Sequence, residues 1–398
     1  MQLSLFEEPD RDKILTDLFQ AYFDARKNKR NTLNALAYEK NFEANTFALC
    51  DEILERHYQP GPSICFIVDK PVKREIFAAD FRDRIIHHFI YNNISPIFEK
   101  LFINDSYSCR VGKGTHYGIR RIDKFIRSCS ENYQKDCYVL KLDIKGYFMA
   151  MNRKLLFKKV KSELLNKCII DFDLPLVLYL IEKTIFNDSK KNCIIKGKKS
   201  DWKGLPETKS LFHARSDCGL PIGNLTSQLF GNIYLNDFDH FVKRDLKIRY
   251  YGRYVDDFIL VHKDKEYLKS LIPRIKKYLS ECLQLELHPK KISLQHFSKG
   301  VKYLGAVIKP YRIYIANRTK GNFYEAIEKQ NKIARSHKPF REEQEKFLSN
   351  MNSYLGIMKH YKTFNLRKRI IFKNLSGWWW NYVYLSGGIS KFVMKESH

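Results

Sequence analysis

The sequence predicts an α+β chain in which helices at either end flank a mixed helix-and-strand middle. Three observations lead there. Residues 12–58 place apolar residues at three-to-four spacing, as in "ILTDLFQAYFDARKN" and "NFEANTFALCDEILERHY". "CYVLKLDIKGYF" (137–148) and "IRYYGRYVDDFILVH" (248–262) are rich in strand-forming Val, Leu, Ile and Tyr. From about residue 320 the pattern reads as all-helical.

The elements follow in order. "QPGPS" (59–63) ends the first helical region, because Pro and Gly interrupt regular hydrogen bonding. Residues 64–77 read as extended. "DFRDRIIHHFIYNNISPIFEKLF" (80–102) reads as a helix with Ile85, Phe89, Ile90 and Ile94 on one side. The strand at 137–148 runs into Gly146, and 153–186 look helical. Residues 187–218 look like a loop-rich insertion, with seven lysines between Lys190 and Lys209 against Asp201 and Glu207. A solvated loop and a nucleic-acid contact both fit that charge. "GNLTSQLFGNIYLNDFDHFVKRDL" (223–246) is a helix, and 248–262 are two short strands joined by a tight turn near Gly252. Residues 265–284 form another helix. "LELHPKKISLQ" and "GVKYLGAVIKPYRIYIA" read as further strands.

At 398 residues, 44% of them hydrophobic, the chain can bury a large core across one to three structural units. Its net charge is +27. Such an excess repels itself and predicts work beside a polyanion, of which nucleic acid is the commonest. Tyr and Phe are abundant enough to supply both core and base-stacking surfaces. The nine cysteines are spread singly, with no C-x-x-C pair, so neither a disulfide framework nor a zinc site is expected. "MQLSLFEEPDRDK" carries acids where a signal peptide needs a basic start, and no apolar stretch is long enough to cross a membrane. The expectation is a soluble, cytoplasmic protein with no membrane partner.

Asp256 and Asp257 stand side by side between apolar runs. Two carboxylates held close in such a setting need a compensating cation. Magnesium suits an oxygen-rich anionic site and takes a few carboxylates plus substrate phosphates. Asp143, which also ends an apolar strand, is the best third carboxylate. Two such ions can activate a hydroxyl and stabilise a leaving oxygen in phosphoryl transfer. Bland readings remain for each acid alone, as a loop residue or a helix cap.

At this point the motifs resemble a known family. "YVDD" after "IRYYGR" resembles the catalytic box of reverse transcriptases, and the other boxes stand in family order. "LKLDIKGYF" resembles the first palm box, "GLPIGNLTSQ" the helix-opening box, "LHPKK" the lysine box and "VKYLGAVI" the box at the thumb base. "PVKREI" and "RDRIIHH" resemble the fingers. Most of the family has Q-G-x-x-x-S-P in the helix-opening box, whereas this chain has Ile222, Gly223, Ser227 and Gln228. That departure, with "RVGKGTHYGI" and "KSLF", is similar to the enzymes of diversity-generating retroelements.

The resemblance implies a right-hand polymerase. Residues 1–60 would be a helical extension, 61–310 fingers and palm with the insertion at about 187–218, and 311–398 a helical thumb. It implies RNA-directed DNA synthesis from template-repeat RNA, with frequent errors at adenines, two Mg2+ ions, deoxynucleoside triphosphates, an RNA/DNA duplex and a small accessory variability determinant protein. Asp143, Asp256 and Asp257 would hold the metal, with the carbonyl of Ile144 beside them. Phe148 would be the steric gate against a 2′-hydroxyl. Arg74, and less directly Lys70, would grip the triphosphate. Ile222 would stand near the nascent base pair where other members have Gln. Gly223 would let backbone approach substrate, and Gln228 would touch template or primer. Lys290, with Lys291 as the other choice, would protonate pyrophosphate or contact phosphate. His87, His88 and His116 read as helix or RNA-contact residues, because magnesium prefers oxygen. Trp378–Trp380 read as a packing cluster or partner surface, and the basic run Lys359–Lys373 as a helix lining the template–primer groove. Rivals are a retron or group II intron reverse transcriptase, and a non-catalytic RNA-binding protein on a polymerase scaffold.

Overall fold

The computed structural model of the chain describes residues 9–27, 32–69, 72–167 and 169–395. Its elements begin with α1 (Arg11–Arg26), α2 (Leu33–Glu39), α3 (Phe42–Leu54), β1 (Ser63–Val68), β2 (Arg74–Ala78), α4 (Phe81–Leu101) and α5 (Thr115–Cys129). Next come β3 (Tyr138–Asp143), the single turn α6 (Tyr147–Ala150), α7 (Arg153–Leu165), α8 (Leu174–Phe186), β4 (Cys193–Ile195), α9 (Leu225–Tyr234) and α10 (Asn236–His240). The hairpin β5 (Tyr250–Tyr254) and β6 (Asp257–His262) leads to α11 (Lys265–Leu283) and β7 (Ser293–His296). The chain closes with β8 (Val301–Tyr303), β9 (Ala306–Lys309), β10 (Arg312–Ile315), α12 (Asn317–Ser336), α13 (Arg341–Met358), α14 (Phe364–Asn374), β11 (Val383–Ser386) and β12 (Lys391–Met394). The α+β expectation holds. No helix among the described residues is long and apolar enough to cross a membrane.

The described residues fall into two compact units: Met1–Gly112, Lys141–Leu260 and Lys269–Ser293 in the first, and Lys113–Leu140, Val261–Leu268 and Leu294–His398 in the second. In the first unit α4 is the spine. Asp80 caps it by accepting from the Arg82 N–H (3.0 Å). Ile85, Ile86, Phe89, Ile90, Ile94 and Phe98 give it a buried stripe, which packs on α1 and α9. Asn152 and Asp173 cap α7 and α8 in the same way. The break between those caps divides the region expected to be one helical run over 153–186.

Strands β2–β1–β4 form one sheet, β1 antiparallel to β2 and parallel to β4. The insertion expected to be loop-rich thus contributes a strand. Glu75, buried on β2, anchors it further, accepting from Trp202 Nε1 (2.6 Å), Ser210 Oγ (2.8 Å) and the Leu211 N–H (2.5 Å). A second sheet has the order β5–β6–β3–β7.

In the second unit β8, β9 and β10 form an antiparallel sheet. Helices α12–α14 enclose a core of Phe323, Phe347, Leu355, Ile370 and Trp379. The C-terminal region is not all-helical as expected: β11 and β12 pair antiparallel around Gly387 and Gly388, both at positive φ. Just before that hairpin, Trp379 lies buried in the 3-10 turn Gly377–Asn381. Its ring stacks on Phe347 (centroids 4.1 Å apart) and its Nε1 donates to the Gln330 carbonyl (3.1 Å), while Trp378 is exposed. The basic run Lys359–Lys373 lies only partly on a helix. Its last ten residues belong to α14, and within them Arg367 is buried and donates to the Ile389 carbonyl.

The tight turn of the β5–β6 hairpin lies at Val255–Asp256, not near Gly252. Gly252 sits inside β5, where an added Cβ would come within 2.2 Å of Tyr107 Oη. Its missing side chain serves a close crossing rather than a turn.

His87 lies buried inside α4 with Nδ1 against Thr226 Oγ1. Burial, aided by the nearby His88 and Arg84, pushes its pKa down to about 3. The folded state therefore holds the neutral ring, whose stabilising contribution is complete above about pH 6.5 and is lost as pH falls from there towards 3. Urea unfolding at pH 7 and pH 5 should show the protein losing on the order of 2 kcal/mol more than a His87→Asn variant. Equal losses in the two proteins would remove His87 as the cause.

Candidate active site

Strand β3 delivers Asp143 because Val139, Leu140 and Leu142 are buried and carry the chain inward. The β5–β6 hairpin delivers the other two acids: Asp256 in its turn, and Asp257 as the first residue of β6 rather than at the tip. Beyond the pairing of β3 with β6, a further backbone bond joins the two deliveries. The Ile144 N–H donates to the Asp256 carbonyl (3.2 Å). On the other side, the His288 N–H donates to the Asp143 carbonyl (2.8 Å), and Lys145 donates to Glu286 (2.9 Å). The end of β3 is thereby held between the turn and residues 286–288.

Two lysines offset part of the charge. Lys291 Nζ lies 2.8 Å from both oxygens of Asp143. Lys141 Nζ lies 2.8 Å from Asp257 Oδ2, while Asp257 Oδ1 is buried with no hydrogen-bond partner. Burial, and then the charge of Asp143, push Asp256 up to about 6. Burial also raises Asp257, and Lys141 opposes it. Three carboxylates face two ammonium groups, so negative charge remains uncompensated.

Among the described residues no three acid, His or Cys side chains stand as a ready metal cage. The donor set nonetheless fits a hard divalent cation: oxygen atoms only, surplus negative charge and one orphaned carboxylate oxygen. Asp143, Asp256 and Asp257, with the Ile144 main chain beside them, are the residues that would hold it.

The two adjacent lysines are placed differently. Lys290 is exposed, with its amide donating to His288 Nδ1 (3.2 Å), and the neighbouring Lys291 is the one on Asp143. Pro289–Lys291 form a 3-10 turn, which sends consecutive side chains in different directions. Lys141 went unnoticed in the sequence, although strand alternation places it on the same face as Asp143.

The other expected residues divide. Phe148 and Ile222 pack against the same buried cluster, that of Cys65, Phe77, Met149 and Leu211. Gly223 has φ +129, and a Cβ there would meet Ile76 Cγ2 at 2.9 Å and the Phe77 carbonyl oxygen at 3.1 Å. Close packing against β2 therefore already demands glycine. Arg74 is exposed at the start of β2. Gln228 is exposed beside a cavity of about 370 Å³ lined by Asp24, Arg84, His87 and His88. Lys70 lies outside the described residues. His87 is turned to Thr226, and the ring of His116 lies tilted against that of His360 in the second unit (centroids 3.9 Å apart).

Comparison with known proteins adds the following. The family model for reverse transcriptase (RNA-dependent DNA polymerase) matches residues 70–308. Protein YkfC of Escherichia coli (strain K12) is 26% identical over 291 residues, covering 65% of this chain and 69% of YkfC. Among solved structures, apo telomerase from Candida tropicalis, truncated of its C-terminal domain, is 14% identical at a TM-score of 0.45, covering 64% of this chain and 55% of that one. Telomerase from Candida albicans in complex with a fragment of telomeric RNA is 12% identical at a TM-score of 0.46, covering 85% and 59%. The chain spans little more than half the length of these two telomerase chains.

A Gly223→Ala variant should lose about 2–4 kcal/mol of stability, because the new methyl meets β2 backbone and the positive φ strains any other residue. Denaturant unfolding measures this. A loss under about 0.5 kcal/mol would mean that β2 yields freely.

Proposed function

Because the chain belongs to the reverse transcriptase (RNA-dependent DNA polymerase) family, we propose that it copies template-repeat RNA into DNA for a diversity-generating retroelement. The reaction adds a deoxynucleotide to a primer 3′-hydroxyl and releases pyrophosphate. The observation that carries the polymerase reading is the tie between the end of β3 and the β5–β6 turn, which sets Asp143 beside Asp256.

Asp143, Asp256 and Asp257 would hold two magnesium ions. When bound, the ions supply charge that activates the hydroxyl and stabilises the leaving oxygen. Lys291, at the edge of the Asp143 carboxylate, is the cation available to a phosphate oxygen. Arg74, exposed on β2, grips the triphosphate through its planar fork of donors. Phe148 excludes a 2′-hydroxyl by bulk, and Gln228 faces template or primer. The net charge of +27 supports binding of an RNA template and an RNA/DNA duplex through phosphates, with affinity falling steeply as salt rises. An accessory variability determinant protein completes the assembly.

The subtype rests on the box around Ile222. An isoleucine offers no hydrogen bond to the nascent pair, and here it packs on the apolar group that also holds Phe148. Loss of that polar contact loosens geometric checking of adenine-templated pairs.

Primer extension on an RNA template with magnesium tests the activity. Asp256→Asn should reduce it at least about a thousand-fold with the circular dichroism spectrum unchanged; an active variant would sink the assignment. Sequencing the products tests the subtype. Errors should concentrate opposite template adenines, and Ile222→Gln should alter their frequency. An even error spectrum would leave a reverse transcriptase of retron or group II intron type.

A further inference from the structure

The turn that presents Asp256 is built around a residue that disfavours it. Val255 has φ +56, a left-handed conformation that β-branched residues avoid. In a two-residue hairpin loop with positive φ at its first position, that position usually carries glycine. Here both backbone groups of the valine are held. Its N–H donates to Ser108 Oγ (3.1 Å), and its carbonyl accepts from Arg253 Nη1 (3.0 Å).

Neither partner is free to drift. Arg253 and Asp239 have no exposed side-chain surface, and they meet as a two-pronged pair, Nε to Oδ1 at 2.8 Å and Nη2 to Oδ2 at 2.6 Å. Burial works against the Arg253 charge, but Asp239 more than offsets it, so the guanidinium stays charged. Tyr251 Oη donates to Asp239 Oδ1 (2.6 Å), and Arg253 Nη2 donates to Ser106 Oγ (3.2 Å). Ser108 Oγ donates to Asn232 Oδ1 (3.3 Å), whose amide returns a bond to the Ser108 carbonyl (2.9 Å). Residues 105–108 run beside β5, with the Arg253 N–H on the Asp105 carbonyl and the Tyr107 N–H on the Arg253 carbonyl, both at 2.9 Å. Replacing a buried ion pair by apolar residues is often neutral for stability, so stability alone does not account for this one.

We propose that Ser108 and Arg253 are positioning residues for Asp256. They clamp both backbone groups of strained Val255, and so keep the Asp256 carbonyl on the Ile144 N–H and the carboxylate beside Asp143. The proposal rests on the polymerase reading for its kinetic consequence, and on the carboxylate site alone for its effect on cation affinity.

Four proteins test it: wild type, Ser108→Ala, Val255→Gly and the double variant. Mn2+ affinity by electron paramagnetic resonance and primer-extension kinetics are measured on each. Ser108→Ala should weaken Mn2+ binding and lower kcat about ten-fold, with KM for the deoxynucleotide within about two-fold. In the Val255→Gly background the same change should act less than about two-fold, because glycine adopts the turn without a clamp. An equal loss in both backgrounds, or none in the valine background, overturns the proposal. A wild-type protein that binds Mn2+ but extends no primer defeats the polymerase reading, and the Mn2+ comparison then still decides the clamp. No Mn2+ binding at all overturns both.

Discussion

Three aspartates crowd one site only because backbone geometry leaves them nowhere else to go. The hydrogen bond from the Ile144 N–H to the Asp256 carbonyl holds the end of β3 against the hairpin turn, setting Asp143 beside Asp256. Asp257, first in β6, joins them. The like charges oppose the arrangement, and two lysines relieve only part of it. What keeps the acids together is the burial of β3 and β6 around them, which no local repulsion can undo without exposing Leu140, Leu142, Phe258 and Ile259.

The surroundings of Ile222 and Gly223 follow from a second constraint. Strand β2 presses on the loop before α9, with the Phe77 N–H donating to the Ile222 carbonyl (2.9 Å). That contact requires glycine at 223 and seats Ile222 in the apolar group shared with Phe148. Glu75 on the same strand ties down the basic insertion through three hydrogen bonds. Lysine charge on a loop usually signals solvent, yet this loop is anchored through a buried carboxylate. As a member of the reverse transcriptase family, with a mixed helix-and-strand architecture, the chain has the fold of a right-hand polymerase.

Much of this was legible in the residues. Apolar spacing placed the long helices, and Val, Leu and Ile content placed β3 and the β5–β6 hairpin, because local periodicity reports which face must be buried. The acids at 143, 256 and 257 stood out as charges at the ends of apolar strands. Other features depended on contacts that leave no local trace. Gly252 suggested a turn, but its role is to pass under Tyr107, far away in sequence. Lys290 and Lys291 are equivalent as letters, and only a 3-10 turn decides which ammonium reaches Asp143. The C-terminal hairpin read as helix because its two four-residue strands are too short to show a clear alternation, and only their pairing with one another reveals them.

By itself, the sequence determined the class of fold, the basic character and the identity of the acids, since these depend on composition and short-range periodicity. Tertiary structure alone decided which cations sit among the acids, which backbone groups hold the turn, and why a valine tolerates a glycine's conformation. Those outcomes depend on distant segments meeting at hydrogen-bonding range, and the pairing of Arg253 with Asp239 and of Ser108 with Val255 exists only once the chain has closed around them.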